Sequence, residues 1–339
     1  MMGRPGDGDM TTRARGLRNL RAALAPVAAG VCVMAATAAV LIPVLGGGDG
    51  PAPRPAPYGT HSARADAAAA DCTPANAAAS LRPSPEGGPA VDRIKARGRL
   101  IVGVDQNTYR WGYRNPATGD LEGFDITLAR AIAEDILGPD PKITFRAIPT
   151  SQRIPALQKR TVDLVVRTMT INCARKRQVA FSTAYFQGGQ QVLAPINARI
   201  TGFDDSLKGK RVCTAAGSTG ETRLAEERHG ARVVTVPNQL DCLVRLQLGE
   251  ADAVVTDNAL AAAQAAQDPT VQLKGKPFTD EPYGVAVNRA DTDLVRRVNQ
   301  VLENYREGGG GSRWMAAYRQ WLQADLPGIS KAPEPQYSD

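Results

Sequence analysis

The residues best suited to chemistry crowd into one stretch, Val162 to Ser182, VDLVVRTMTINCARKRQVAFS. Val162, Leu164, Val165 and Val166 make an apolar run of the length a buried parallel strand uses. Two guanidinium groups (Arg167, Arg175), two hydroxyls (Thr168, Thr170) and the amide of Asn172 follow at once. Asn172 is a good helix cap, so Ala174-Arg175-Lys176-Arg177 reads as a basic first turn. Cations at a helix N-terminus oppose the macrodipole, which favours anions there. The mismatch is easier to accept if something negative is to be bound, and the stretch reads as an anion-recognition loop at the C-terminal end of a strand.

The elements around it must hold that loop. VDRIKARG reads as a short helix stopped by Gly98, followed by the strand Leu100–Val104 and a hairpin-like loop from Trp111. Apolar residues at 124, 128, 132 and 136 predict a helix over Phe124–Leu137. A strand at Ile143–Ile148 and a helix around Ile154–Lys159 lead into the loop's own strand. Strand, helix, strand, helix, strand means a parallel α/β sheet, with strand C-ends as the default site. A second unit of the same kind follows, with strands at 211–214, 233–236 and 253–255. The amphipathic helices Leu294–Arg306 and Arg313–Leu322 close the pattern.

The 339 residues leave room for two domains and extra segments. Much of the +7 excess lies before the first apolar run, where Arg4, Arg13, Arg15, Arg18 and Arg21 face only Asp7 and Asp9, and no basic stripe or finger spacing follows, so nucleic acid is not an expected partner. Residues 1–21 read as a basic cytoplasmic terminus. Residues 22–48 carry no charge and are about long enough to span a bilayer as an uncleaved signal anchor, with a cleaved signal peptide as the competing reading. The Pro, Gly and Ala bias of 49–90 reads as a solvated linker, and the Pro-rich 326–339 as a disordered tail. Five cysteines and two histidines offer no metal spacing, and neither metal nor cofactor is expected. Cys72, Cys173, Cys213 and Cys242 form an even set suited to an oxidising compartment, with three pairings open.

The order of motifs resembles the bacterial family-3 extracellular solute-binding proteins, the binding components of polar amino acid ABC importers. The likeness rests on Gly103-Val104-Asp105, GFDITLARAIAEDIL, IPALQKRTVDLVV, MTINCARKRQVAFSTAYF, LKGKRVCTAAGSTGE, LGEADAVVTD, EPYGVAVNR and WMAAYRQWL, over about residues 91–325. The four extracytoplasmic cysteines and Arg167 look most like the glutamate/aspartate-binding branch. The resemblance implies a two-lobed periplasmic-binding-protein-like (type II) α/β fold with a hinge. Lobe one would be 91–192 with 286–325, and lobe two 193–285, closing on a ligand.

By that resemblance Arg175 grips an amino acid's α-carboxylate, since its planar fork matches a carboxylate with two bonds. The Thr170 hydroxyl and the Thr168 N–H join it. Ser218 and Thr219 in Gly217-Ser218-Thr219-Gly220 open a helix whose free N–H groups make a second clamp. Asp257, at a strand end, would hold the ammonium with Asp105 assisting. Trp111 or Tyr109 would wall the cleft, core packing being the equal alternative. Arg167 is expected to select a side-chain carboxylate, hence glutamate or aspartate, unless it pairs internally with Asp163 or Glu122. Lys176 and Arg177 read as surface charge. For the cysteines, Cys213–Cys242 and Cys72–Cys173 are taken forward, each worth about 3–5 kcal/mol in the chain-entropy model. A catalytic thiol at Cys173 lacks a nearby base.

The function so implied is a membrane-anchored, extracytoplasmic, monomeric receptor that passes an acidic amino acid to an ABC permease. The alternatives are a sensor for a membrane signalling protein, using the same cleft, or a dehydratase-like enzyme, for which no poised acid–base set is present.

Overall fold

The computed structural model describes residues 72–338. The expected membrane segment and residues 49–71 of the expected linker lie outside the described residues. Among the described residues no helix is long and apolar enough to cross a membrane.

Lobe one begins with α1 (Pro89–Arg97), which has proline in its first turn and ends at Gly98 in the left-handed conformation, φ 68°. The buried strand β1 (Leu100–Val104) follows, then a small ribbon of β2 (Asn107–Thr108), β3 (Gly112–Arg114) and β4 (Leu121–Glu122). Next come α2 (Phe124–Leu137), β5 (Ile143–Ala147), α3 (Arg153–Gln158), β6 (Leu164–Val165), the one-turn α4 (Cys173–Lys176), β7 (Val179–Phe181) and β8 (Phe186–Gly188). Lobe two runs through β9 (Gln190–Pro195), β10 (Arg211–Ala215), α5 (Thr219–Glu226), β11 (Arg232–Val236), α6 (Gln239–Gln247), β12 (Ala253–Asp257), α7 (Asn258–Gln267) and β13 (Val271–Lys274). The chain then returns through β14 (Glu281–Tyr283) to β15 (Ala286–Asn288), α8 (Thr292–Arg306) and α9 (Arg313–Trp321).

The two sheets share one logic. Lobe one orders its strands β5-β1-β6-β15-β7, with β1 parallel to both neighbours and β15 inserted antiparallel between β6 and β7. Lobe two orders them β11-β10-β12-β9-β13, with β10 parallel to its neighbours and β9 inserted antiparallel. In each sheet the antiparallel insert is the strand that has just arrived from the other lobe. The connecting strands β8 and β14 pair antiparallel, Phe186 opposite Tyr283, and form the hinge. The lobes therefore divide at Gly189, not at residue 193, because β9 already belongs to the second sheet.

Two segments differ from the sequence expectation. Residues 72–88, assigned to the linker, lie against lobe one as a strap. Ser80 Oγ donates to Phe181 O (2.7 Å), and Asn299 Nδ2 donates to Ser80 Oγ (2.8 Å) and Leu81 O (2.6 Å). The tail is likewise placed: Ile329 and Ala332 pack on the lobe-one core, Tyr318 donates to Leu326 O, and Ser80 pairs with Tyr337. Proline-rich composition suggested disorder, but proline also holds chain extended at little entropic cost, which suits a segment lying along a surface.

Asn299 is fully buried and also accepts the Thr183 N–H (2.9 Å). Asn299→Ala leaves that donor and the Leu81 carbonyl without partners, and should lower unfolding free energy in urea by about 3 kcal/mol. A loss under about 0.5 kcal/mol would show that the strap is not fastened there.

Candidate functional site

The strand ends of both sheets meet across the hinge. Asp105, Arg167, Thr168, Thr170 and Arg175 from lobe one, and Ser218, Thr219 and Asp257 from lobe two, line one cavity. Thr150, Arg153, Gln190, Gln239 and Leu260, not singled out from the sequence, complete it. Its free space is about 20 Å³, room for about one water, so the lobes are closed on their own side chains.

The anion loop is built from below. Thr168 sits at φ 40°, a strained angle for a β-branched residue, and its N–H donates to Asp125 Oδ2 (3.0 Å). Tyr185 Oη donates to Asp125 Oδ1 (2.8 Å). Burial pushes the Asp125 carboxyl up to about 7 against these hydrogen bonds. The Thr168 N–H expected to meet a ligand carboxylate is here shared between Asp125 Oδ2 and Tyr185 Oη (3.1 Å). Asn172 Oδ1 caps α4 by accepting from Arg175 N (2.9 Å), and the buried Arg175 side chain donates through Nη1 to Thr170 O (2.8 Å) and through Nη2 to Gly217 O (3.1 Å). Burial lowers the Arg175 pKa, opposed by Glu281 and Asp257.

Arg167 differs from its expected role. Its Nη2 lies 2.9 Å from Asp105 Oδ2, both groups buried, and its Nη1 donates to Thr150 Oγ1 (3.0 Å). Asp163 and Glu122, the internal partners considered for it, go elsewhere: Asp163 pairs with Arg97, and Glu122 accepts from Tyr113. Asp105 meets this guanidinium and tops its own turn by accepting from Gln106 N, Asn107 N and Thr108 Oγ1, so its assistance to an ammonium is corrected too. Arg153 stands differently. Its Nε, Nη1 and Nη2 donate to Thr150 O, Arg167 O and Gly217 O, all main-chain carbonyls. Burial, with Arg175 and Arg167 adding to it, pulls its pKa well below the usual guanidinium value. Among the described residues neither Arg153 nor Arg175 has a carboxylate at ion-pair distance.

Lobe two answers with a ring of polar groups. Ser218 Oγ caps α5 by accepting from Glu221 N (3.1 Å), so its side chain is a helix cap. Thr219 Oγ1 accepts from Gln190 Nε2 (2.9 Å) and donates to Glu281 Oε2 (3.0 Å). Gln190 Nε2 also donates to Asp257 Oδ1, and Tyr283 Oη donates to Asp257 Oδ2 (2.6 Å). Tyr283 and Glu281 share β14, so the ring closes through the hinge. Burial and nearby Glu281 push Asp257 up, against the Tyr283 bond and Arg175. Gln190 Oε1, Gln239 Oε1 and Arg167 Nε are buried without a hydrogen-bond partner among the described residues, an arrangement that calls for a polar ligand.

For Trp111 the core-packing alternative holds. Trp111 is 1 % exposed and packs edge-on against Phe124, Phe186 and Tyr283, with its Nε1 donating to Ala259 O. Tyr109 lies outside the cavity, edge-on to Tyr113. Both cysteine pairs, Cys72–Cys173 and Cys213–Cys242, are bonded. Lys176 is half-buried with its Nζ on Ala79 O (2.8 Å), so it is a fastening and not free surface charge. Arg153 was missed, yet it carries the signal that singled out Arg175: a cation in the first turn of a short helix.

The family model for bacterial extracellular solute-binding proteins, family 3, matches residues 100–324. The ABC transporter glutamine-binding protein of Bacillus subtilis (strain 168) is 37% identical over 232 residues, 68% of this chain and 84% of that protein. The glutamate/aspartate import solute-binding protein of Salmonella typhimurium is 26% identical over 254 residues, 72% and 83%. Among solved structures, an ancestral arginine-binding protein bound to glutamine matches with TM-score 0.62 and 36% identity, covering 67% of this chain and 98% of that one. The solute receptor for L-cysteine of Neisseria gonorrhoeae matches with TM-score 0.67 and 26% identity, covering 72% and 99%.

Gly217 marks where the lobes touch. Its φ is 76°, and a Cβ there would come within 2.8 Å of Ser151 Cα in the other lobe. Gly217→Ala should therefore hold the cleft ajar, read as a larger radius of gyration in small-angle scattering. An unchanged radius would show that closure does not depend on this contact.

Proposed function

Because the chain belongs to the bacterial extracellular solute-binding proteins, family 3, and binds an amino acid for ABC transport without transforming it, we propose that its ligand is acidic, glutamate or aspartate. The observation that carries this reading is the pair of buried guanidiniums, Arg153 and Arg175, that share the Gly217 carbonyl and lack carboxylate partners. Two guanidinium nitrogens that lie 3.3 and 3.1 Å from the same oxygen are close enough for their unit charges to repel by on the order of a few kcal/mol at an effective dielectric of about 20. A ligand with two carboxylates relieves that repulsion twice. The α-carboxylate goes to Arg175 beside Thr170, and the side-chain carboxylate to Arg153, in the role first given to Arg167. Arg167 is already neutralised by Asp105. Asp257 takes the ammonium, helped by the free Gln190 Oε1, and the Thr219 N–H at the start of α5 faces the α-carboxylate.

The amide ligand of the Bacillus relative is the second reading, favoured by the higher identity of that protein. Glutamine would leave Arg153 uncompensated, and an arginine ligand would set a second unbalanced cation beside it. Two disulfides support an extracytoplasmic setting, where a permease collects the closed form. An N-terminal tether to the membrane fits the same reading.

Calorimetry with glutamate, aspartate, glutamine, asparagine and arginine tests the proposal; tight binding of arginine, or of glutamine over glutamate, would overturn it. Arg153→Met should weaken glutamate by about a hundredfold, the cost of losing a buried charge-assisted contact, while glutamine changes little. Asp257 titrates near 7 in the ligand-free protein, and an arriving ammonium favours its ionised form. Binding below that pH releases a proton, so affinity should fall as pH drops from about 7 to 5 and level off above. Affinity independent of pH across that range would remove Asp257 from the ammonium site.

A further inference from the structure

The arginine that clamps the α-carboxylate stands on α4, a helix of four residues. Helix nucleation is unfavourable, and one turn does not hold itself in water. Its cap, Asn172, secures only the first turn's N–H of Arg175. Main-chain bonds from Lys176 N to Asn172 O and Arg177 N to Cys173 O, the Arg289 Nη1 bond to Arg177 O, and the Arg175 bonds to Thr170 O and Gly217 O add to it, and residues 72–88 supply further fixings at both ends of the turn. Cys72 is bonded to Cys173, the first residue of α4, and Lys176, the last, donates from Nζ to Ala79 O (2.8 Å). One residue further, Ser80 Oγ donates to Phe181 O at the end of β7, the strand that α4 leads into. The strap thus meets the loop at 173, at 176 and at 181, with Arg175 between the first two points.

We propose that the strap is part of the binding machinery: through the Cys72–Cys173 bridge and the Lys176–Ala79 bond it positions the Arg175 guanidinium in the cleft. This rests on the reading of Arg175 as the α-carboxylate clamp. The other disulfide offers a contrast. Cys213–Cys242 is fully buried and joins β10 to α6, two regular elements with complete hydrogen-bond ladders of their own. It braces lobe two. Cys72–Cys173 instead joins two segments that have little regular structure, and one of them carries a ligand contact. A fixed guanidinium keeps its fork aimed and loses less entropy when an anion arrives.

The test is calorimetry of the full chain as wild type, as the double variant Cys72→Ser with Cys173→Ser, and as Lys176→Met and Lys176→Arg with the bridge intact. Glutamate and glutamine share the α-carboxylate, so both affinities should fall together by about tenfold in the double variant, the loss expected when one charge-assisted pair is loosened. Lys176→Met should show a smaller loss of the same kind, and Lys176→Arg, which keeps a donor, should recover it. Amide exchange at 172–176 should quicken in the double variant. A lower melting temperature with unchanged affinities would make the strap a brace only and overturn the proposal. If the double variant does not fold, the two Lys176 variants decide: equal affinities in both overturn it. Wild-type protein that binds neither amino acid overturns the ligand reading instead, and selective loss of glutamate alone would reassign the strap to the side-chain subsite.

Discussion

Three guanidinium groups, from Arg153, Arg167 and Arg175, are buried in one small cavity, and the rest of the molecule can be understood as the means of keeping them there. A cation removed from water without a partner costs several kcal/mol. Arg167 is offset by Asp105; the other two are held by main-chain carbonyls, which satisfy donors without cancelling charge. Carbonyls can be aimed inward only where strands and helices end, and the parallel sheets of both lobes bring such ends to the same place. Asp257 of lobe two and Glu281 and Tyr283 of the hinge set carboxylates opposite the basic face of lobe one.

Much of this was legible in the residues. The 3.6-residue spacing over Phe124–Leu137 predicts α2 at both of its ends, and the apolar runs mark β1, β10 and β12. Asn172 and the cations after it pointed to an anion loop, and Arg175 does reach the cavity. What stayed hidden depended on distance in three dimensions. Whether Arg167 or Arg153 is left uncompensated depends on Asp105, some 60 residues upstream of one of them and near neither. Trp111 could be cleft or core until Phe186 and Tyr283 were seen to surround it. The tail shows the limit of composition: few apolar residues, Leu326, Ile329 and Ala332, suffice when proline has already removed much of the chain's freedom.

The hinge is more than a swivel. Its two strands carry Phe186 and Tyr283 into the aromatic cluster of lobe one, while the Tyr283 hydroxyl reaches Asp257 in lobe two. Glu281, two residues along the same strand, meets Thr219. β14 is therefore tied at once to the Asp257 carboxylate and to the mouth of α5 through one polar ring.

The Gly217 carbonyl has a consequence for how strongly any ligand is held. By accepting from both Arg153 and Arg175 it acts as an internal competitor, built into the chain and always at hand. An amino acid bound as proposed would have to take the Nη2 donors of both side chains from this carbonyl, so its apparent affinity would be the intrinsic one lowered by the share of molecules resting in this self-occupied form. On that reading release would be easier than the ligand contacts alone suggest, since the vacated arginines have an acceptor to return to.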